Sequence, residues 1–533
     1  MTRSDGTRPV PYPLELALVG AAVVAARLWF LGLTHVTYED ALISLRYARN
    51  LAAGMGLVYN PGEHVFGATT PLHVLLLAAF TALHLPDPLF AAKLLSIAAD
   101  AVTTAVWYRL IYHETGSRAG SLTFAAAFGL SPLIVEITAS GMETPLVLLC
   151  LTCAFEAVSS RRGAVLGLWL GLLLLLRVDA AIFVIILLAA RASRERQLPW
   201  RDTAVMAAVA APWFLFSLAY YHSVIPNSIP AKLNAYNMHM HDMRRQLWFT
   251  VSKFTPYRSG ARAGLFAALF LPVSVWGAVE TLRRRRQMLP VLLFFLAQWA
   301  FLVLPRSVIF LWYLPPLLLP YYVLGGIGAA ALLRWHATTA TRPALRRAFC
   351  LVFVGGLILH TGHWLSTAAS RVRAIQSYEE TVRKPIGLWL ARNTPPDALV
   401  SAEPIGYIGY YSGRKILDEV GLVSPEVIPF TRRGAGWFTA VVKTYRPDYI
   451  VERPHFLMAN KTLITNVPMF ASPAERDWFW TNYRRLREFP CSGSLSYRRT
   501  YSFVILKRRS SGDDRRQTAE GRRQTTGAGI ERG

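Results

Sequence analysis

The feature that most constrains this chain is a series of long apolar runs, set apart by short stretches in which basic residues cluster. The first run, Leu14 to Leu33, has about the length a bilayer-spanning helix needs. Ten more follow: Phe90 to Ile111, Leu122 to Ile137, Pro145 to Val158, Gly163 to Leu176, Ala180 to Ala190, Thr203 to Tyr221, Gly264 to Leu282, Met288 to Leu304, Val308 to Leu333 and Ala348 to Leu365. In hydrocarbon a lone apolar segment satisfies its backbone polar groups only as a helix. The expected fold is therefore a polytopic α-helical membrane protein with about 11 transmembrane helices. The first run lacks a small-residue cleavage site and reads as an anchor, not a signal peptide.

Composition agrees. Only 17% of the 533 residues are charged, against about 25% in a soluble domain. The net charge of +25 invites a nucleic-acid reading, but the basic residues sit between apolar runs, which is the pattern of membrane topology. No nucleic-acid partner is expected. Four cysteines, three of them in apolar stretches, give neither a disulfide framework nor a zinc site.

Orientation turns on Pro71 to Leu85, an apolar stretch of about fifteen residues that reverses every later loop if it spans. If it is interfacial or re-entrant, one side collects 18 Lys/Arg in 60 loop residues and the other 10 in 91. The positive-inside rule then makes residues 1–13 a cytoplasmic N-terminus and puts the C-terminal third outside. Residues 14–366 form the transmembrane domain. Residues 371–509 regain Asp, Glu, Pro and Gly, with short strand-like runs at Ala398 to Ala402, Lys415 to Leu417, Tyr449 to Glu452 and Ser502 to Leu506. Helical patterns at Ile375 to Arg392 and Ala474 to Arg487 complete an expected extracytoplasmic α/β domain. The tail, residues 510–533, has the composition of a disordered basic segment.

The scarce acids of the membrane half gather on the expected outer side: Glu39 and Asp40 after the first span, Glu63 later in that loop, Glu143 and Asp179. Carboxylates at one membrane surface suit general-base chemistry on a hydroxyl. Arg46, Arg49, Arg177, Lys232 and Arg306 share that side and are candidates for holding a phosphate. Asp40 to Leu51 reads as a short helix with Glu39 or Asp40 free to cap its first amides. Plainer readings stand beside these. Asp40 or Glu143 could be helix caps, Arg46 and Arg49 snorkelling charges, and Arg177 with Asp179 a loop salt bridge. Lys93 and Asp100, seven residues apart in one span, are expected to neutralise each other. His239 and His241 lack ligand spacing, so no metal site is expected. Gly406, Gly409 and Gly413 do not make a dinucleotide fingerprint, and no phosphate loop occurs. An enzyme with no nucleotide site that faces outward needs a donor present there, and a lipid-linked sugar meets that need.

Several segments resemble a known family. Tyr38-Glu-Asp-Ala-Leu-Ile-Ser-Leu-Arg-Tyr-Ala-Arg-Asn50, followed by Gly54 to Glu63, is similar to the first outer loop of a branch of the GT-C glycosyltransferases. That branch includes the mycobacterial terminal arabinofuranosyltransferases and uses polyprenyl-phosphate sugars. Ser140 to Thr144, Leu176 to Asp179, Pro226 to Lys232 with Asn227, Gly406 to Gly413 and Asp418 to Leu422 resemble its later motifs in the same order. The resemblance implies a GT-C-like catalytic domain whose base is an acidic residue of the first loop. Asp40 holds the second position of the usual paired aspartates and Glu39 the first, leaving open which acts. Phe66 to His73 departs from the family pattern. The implied protein is an inverting transferase of the bacterial inner membrane. It would move a pentose or hexose from a polyprenyl-phosphate donor to a cell-envelope glycan or lipid. Arg46, Arg49, Arg177, Lys232 and Arg306 would then meet the lipid phosphate, while Glu143, Asp179 and Asn227 bind sugar or acceptor. No cofactor is implied, and a divalent metal requirement is left open. A flippase for a lipid-linked glycan and a non-catalytic glycan-binding membrane protein are the alternatives. A flippase is expected to show internal repeats and polar sites near mid-membrane, whereas here the acidic groups concentrate at one surface and no repeat is visible.

Overall fold

The computed structural model describes residues 13–160, 164–236, 261–304, 309–339, 343–462, 467–492 and 501–509. Residues 1–12, His239, His241, Arg306 and the tail 510–533 lie outside the described residues. The chain divides into two compact units, Met1–Ile229 with His239–Ser377, and Pro230–Met238 with Tyr378–Gly533.

The first unit is helical. In chain order its helices are α1 (Pro13–Thr34), α2 (Glu39–Ala52), α3 (Pro71–Ala82), α4 (Pro88–Thr115), α5 (Arg118–Gly129), α6 (Pro132–Ala139), α7 (Thr144–Ser160), α8 (Val165–Leu176), α9 (Ala181–Glu195), α10 (Trp200–Tyr221), α11 (Ser228–Tyr236), α12 (Ala261–Arg284), α13 (Leu289–Val303), α14 (Pro315–Thr339) and α15 (Pro343–Tyr378). Helix α11 straddles the division between the units. Among the described residues, α1, α4, α10, Arg286–Val303 and Pro315–Trp335 are long and apolar enough to cross a bilayer. The pair α5 and α6, bent by 53°, makes a sixth candidate. These five or six stand against the eleven expected from hydropathy. Runs such as Gly163 to Leu176 yield helices of 12 residues, and 12 residues rise only about 18 Å against a ~30 Å hydrocarbon core. Helix α3, also 12 residues, is too short to cross unaided.

Packing relies on small residues where helices cross, because apolar side chains gain little by leaving lipid for protein. A Cβ on Gly277 of α12 would strike the Leu324 carbonyl of α14, and one on Gly328 the Val273 carbonyl of α12. A Cβ on Gly120 of α5 would stand 2.7 Å from that of Ala330. The buried charges correct one expectation. Asp100 pairs with Arg27 of α1 at 2.9 Å, both fully buried, and also accepts from Thr138. Lys93 instead donates to the Val36 carbonyl at 2.6 Å and Thr37 Oγ1 at 2.8 Å. Seven residues share a helix face but lie about 10 Å apart along the axis, so each charge is matched at its own depth.

Side-chain bonds tie the loops of this unit into two sets. One joins Glu15, Tyr108, Arg118, Thr115, Glu280 and Arg334. The other joins segments near residues 38, 140–143, 177 and 312, partly through backbone bonds, and a separate backbone bond joins residue 227 to residue 66.

The second unit holds a five-stranded sheet in the order β2-β1-β3-β5-β4. Its strands are β1 (Leu399–Ala402), β2 (Lys415–Asp418), β3 (Tyr449–Glu452), β4 (Tyr483–Phe489) and β5 (Phe503–Arg508). β1 runs parallel to β2 and β3, while β5 is antiparallel to β3 and β4. Trp437, Phe438, Val442, Phe479 and Leu506 fill its core. The helical pattern at Ala474 to Arg487 is overturned in its second half: the helix Pro473–Asn482 stops and β4 begins. Arg484, Arg485 and Arg487 lie along this edge strand, where charge deters pairing with another chain.

Candidate active site

The site is built on the start of α2. Glu39 and Asp40 occupy its first turn, where a helix N-terminus favours negative charge, and both are partly exposed. Neither is the cap. The N-cap is Tyr38, with extended backbone and no side-chain cap bond. The start of the helix is instead anchored across the fold, with Tyr38 N donating to the Ser140 carbonyl at 3.0 Å.

Further along, α2 turns Arg46 and Asn50 inward. Arg46 Nε donates to the Tyr59 carbonyl at 2.9 Å, its Nη2 to Asn60 Oδ1 at 3.3 Å, and its guanidinium lies 4.0 Å over the Tyr59 ring. Asn50 donates to the carbonyls of Val58 and Tyr59. Both side chains fold the first loop back on its helix, and Glu63 joins by accepting from Asn60 at 2.9 Å. Tyr221 at the end of α10 donates to the Leu57 carbonyl at 2.6 Å and stacks on Phe66. Asn227 N bonds the Phe66 carbonyl at 2.7 Å.

Against this frame sits a cluster of two acids and one base, with Glu143 and Arg177 buried and Asp179 half-buried. Arg177 meets Asp179 with two bonds, 2.9 and 2.8 Å, and lies 3.5 Å from Glu143. Its Nη1 also donates to the Trp312 carbonyl at 3.4 Å, and its guanidinium lies 4.6 Å over the Tyr313 ring. Burial raises the Glu143 carboxyl above its ordinary range; Arg177 opposes this, while the Asp179 and Asp40 carboxylates add to it. Burial works against the charge on Arg177, but Asp179 and Glu143 outweigh it and hold the guanidinium protonated. The field of Asp40 thus reaches the cluster. Glu143 stands in a turn at Gly141, whose φ of +88° no L side chain adopts comfortably and whose Cβ would press on Leu89.

The structure therefore brings Asp40, Glu143, Arg177 and Asp179 into one electrostatic neighbourhood. Arg49 is half-buried on the last turn of α2. Lys232 lies on α11 among residues grouped with the second unit, where neighbouring Asn234 meets Arg432 at 3.1 Å. Reading the sequence missed His73, Glu136, Arg371, Trp312 and Tyr313. His73 Nε2 lies 3.1 Å from the Gly141 carbonyl, and burial pushes its ring down to about 4. A buried histidine in a short apolar helix was the available signal. Among the described residues no group of three or more His, Cys, Asp and Glu is arranged to hold a metal ion.

The second unit has its own concentration of acid. At the carboxyl ends of the parallel strands lie Glu403, Asp418, Glu419 and Glu452 with Arg453, which meets Glu403 at 2.8 Å. Glu379, paired with Arg383 at 2.8 Å, adds a fifth carboxylate within the field of Arg453. Burial raises Asp418 to about 7, against the amides of Val420 and Val423. Burial likewise raises Glu452 to about 7, with Arg453 opposing.

The family described as "Domain of unknown function (DUF8728)" matches residues 371–505. No curated protein sequence matches the chain. Among solved structures it is similar to ArnT from Cupriavidus metallidurans bound to undecaprenyl phosphate, with a TM-score of 0.58, 13% identity, and 94% of this chain and 99% of that one covered. The same protein in the apo state matches with a TM-score of 0.54 and 14% identity over 92% of this chain and 97% of that one. Across more than nine-tenths of its length, then, the chain has the fold of ArnT.

Proposed function

We propose that this protein is a multi-pass enzyme of the bacterial inner membrane, with its N-terminus cytoplasmic. It would move a pentose or hexose from a polyprenyl-phosphate donor to an extracytoplasmic glycan or lipid, with inversion. The observation that carries the reading is the paired acid at the start of α2 beside the Glu143–Arg177–Asp179 cluster, within a fold shared with a protein solved with undecaprenyl phosphate bound. Asp40, aided by Glu39, takes the proton of the acceptor hydroxyl as its oxygen attacks the anomeric carbon. The bond from that carbon to the phosphate oxygen breaks on the opposite face, and the lipid phosphate leaves with the electron pair. Negative charge grows on that phosphate, so a cation placed there lowers the barrier. Arg49 and Arg306 are the proposed phosphate holders. Arg46 and Arg177 already bind the first loop and Asp179, so they serve as the frame. Glu143 and Asp179 orient hydroxyls, and Asn227, whose backbone amide meets the Phe66 carbonyl, is a further substrate-binding residue in this reading.

Asp40→Asn keeps the shape and removes the base. With the gene deleted, a cell-envelope glycan should lose one sugar; the wild-type gene should restore it and the Asp40→Asn gene should not, a loss of about 100-fold or more. Full restoration by a Glu39→Gln, Asp40→Asn double variant would sink the assignment. Transport of a lipid-linked glycan with no glycosidic product would favour a flippase.

A further inference from the structure

Residues Val36–Tyr38, just ahead of the two acids, are held from four directions. From α4, Lys93 donates to the Val36 carbonyl and to Thr37 Oγ1, at 2.6 and 2.8 Å. On α15, Gln376 accepts from Thr37 N at 3.0 Å. The turn before Glu143 accepts from Tyr38 N at Ser140. On α6, Glu136 Oε1 accepts from the Tyr38 hydroxyl at 2.7 Å, while its Oε2 accepts from Arg371 of α15 at 3.2 Å. The Tyr38 ring meets Trp312 edge-on at 6.0 Å between centroids.

Two facts make this more than packing. Tyr38 is the N-cap of α2 and makes no side-chain cap bond, so the direction of the first turn is set by these distant partners. Glu136 is a carboxylate in an apolar helix of eight residues, buried to 5% exposure, and a charge is costly there unless it is used. Both of its oxygens are engaged, each by a segment far away in sequence. Burial first, and then the neighbouring Glu136, push Tyr38 ionisation far above its ordinary range. Its hydroxyl therefore donates at any working pH.

We propose that Glu136 is a positioning residue for the reaction: acting through Tyr38, and braced by Arg371, it fixes the first turn of α2 and so the aim of Asp40 and Glu39. The proposal rests on the reading of that acid pair as the base. A displacement of about 1 Å in a reacting group costs about 100-fold in rate, so a loosened clamp is expected to act on kcat and leave binding intact.

The test uses the full chain in lipid nanodiscs. Tyr38→Phe deletes the donor; Glu136→Gln keeps an acceptor for Tyr38 and removes the charge that braces Arg371. Tyr38→Phe should lower kcat about 10- to 100-fold and Glu136→Gln about 3- to 10-fold. KM for the polyprenyl-phosphate sugar and binding of undecaprenyl phosphate should stay within about 2-fold. The double variant should be no worse than Tyr38→Phe, because both act through one link. Amide exchange should quicken over residues 37–42 and stay unchanged over 57–60. Wild-type kcat in both single variants, additive losses, or unchanged exchange over 37–42 would each overturn the proposal. Failure of the base reading looks different: Asp40→Asn would then keep full transfer while the exchange results still held.

Discussion

Buried acid is handled in opposite ways in the two units. In the helical unit carboxylates are matched to guanidiniums: Asp100 to Arg27, Glu136 to Arg371, Asp202 to Arg191, and Glu143 with Asp179 to Arg177. At the carboxyl ends of the parallel strands in the second unit Glu379, Glu403, Asp418, Glu419 and Glu452 lie around two guanidiniums, Arg383 and Arg453. The surplus there is absorbed by protons, with Asp418 and Glu452 both near 7 and Glu419 pushed well above its ordinary range by burial. The difference teaches where each unit stores its electrostatic energy. Between lipid-facing helices an unmatched charge has no water to fall back on, so matching is built into the sequence. At the strand ends of the second unit a proton can do the same work, at the expense of making the unit sensitive to pH.

Removing the shared base of the site should have the largest effect on that contrast. Arg177→Met strips the partner from both Glu143 and Asp179. Transfer should fall by about 100-fold or more, with a stability loss of about 3–5 kcal/mol in detergent unfolding. Adding Glu143→Gln should recover part of the stability and none of the transfer. Transfer within about 2-fold of wild type in Arg177→Met would show that the matched cluster is framework alone.

The Arg27–Asp100 pair sharpens the comparison without touching the site. Either single change, Arg27→Leu or Asp100→Leu, should cost about 3–5 kcal/mol because one buried charge is left alone. The double change should cost far less than the sum. Additive losses in a thermal unfolding series would mean that the two charges are not matched to each other.

The smallest effect belongs to the second unit and has a defined sign. Glu452 ionises near 4.3 when unfolded and at about 7 in the fold. Its contribution to stability is full below the unfolded value and is lost as pH rises through about 7. Protection factors in β3 and β1, taken against the intrinsic exchange rate at each pH, should therefore fall between about pH 6 and pH 8. Glu452→Gln should suppress that change and stabilise the unit by about 1–3 kcal/mol at the upper pH. Equal protection factors at both values in the wild type would remove the contrast with the helical unit.

Particular elements show what reading the sequence could reach. Alternation and β-branched residues found β1, β2, β3 and β5 within about two residues, because each is a short apolar run between turns. β4 was missed because its arginines break the apolar pattern, and its pairing with β5 supplies what propensity does not. The acids of the site were legible since carboxylates are rare in the membrane half. Their partners were not. Arg27 lies 73 residues from Asp100, and Arg371 lies 235 from Glu136, distances over which spacing carries no information. His73 was passed over for the same reason, its Nε2 meeting a carbonyl 68 residues away.

By itself the sequence determined that this chain is a helical membrane protein with a separate α/β unit. Apolar run length and loop charge act locally and need no tertiary contact to be read. It also narrowed the chemistry to a few carboxylates gathered on one expected face. Only the tertiary structure decided which charges are matched, that Arg46 folds the first loop while Arg177 joins two acids, and that the segment ahead of Asp40 is held from α4, α6 and α15. The physical reason is that buried charges and donors must find partners at their own depth in the bundle. Depth is a property of the folded chain, not of position along it.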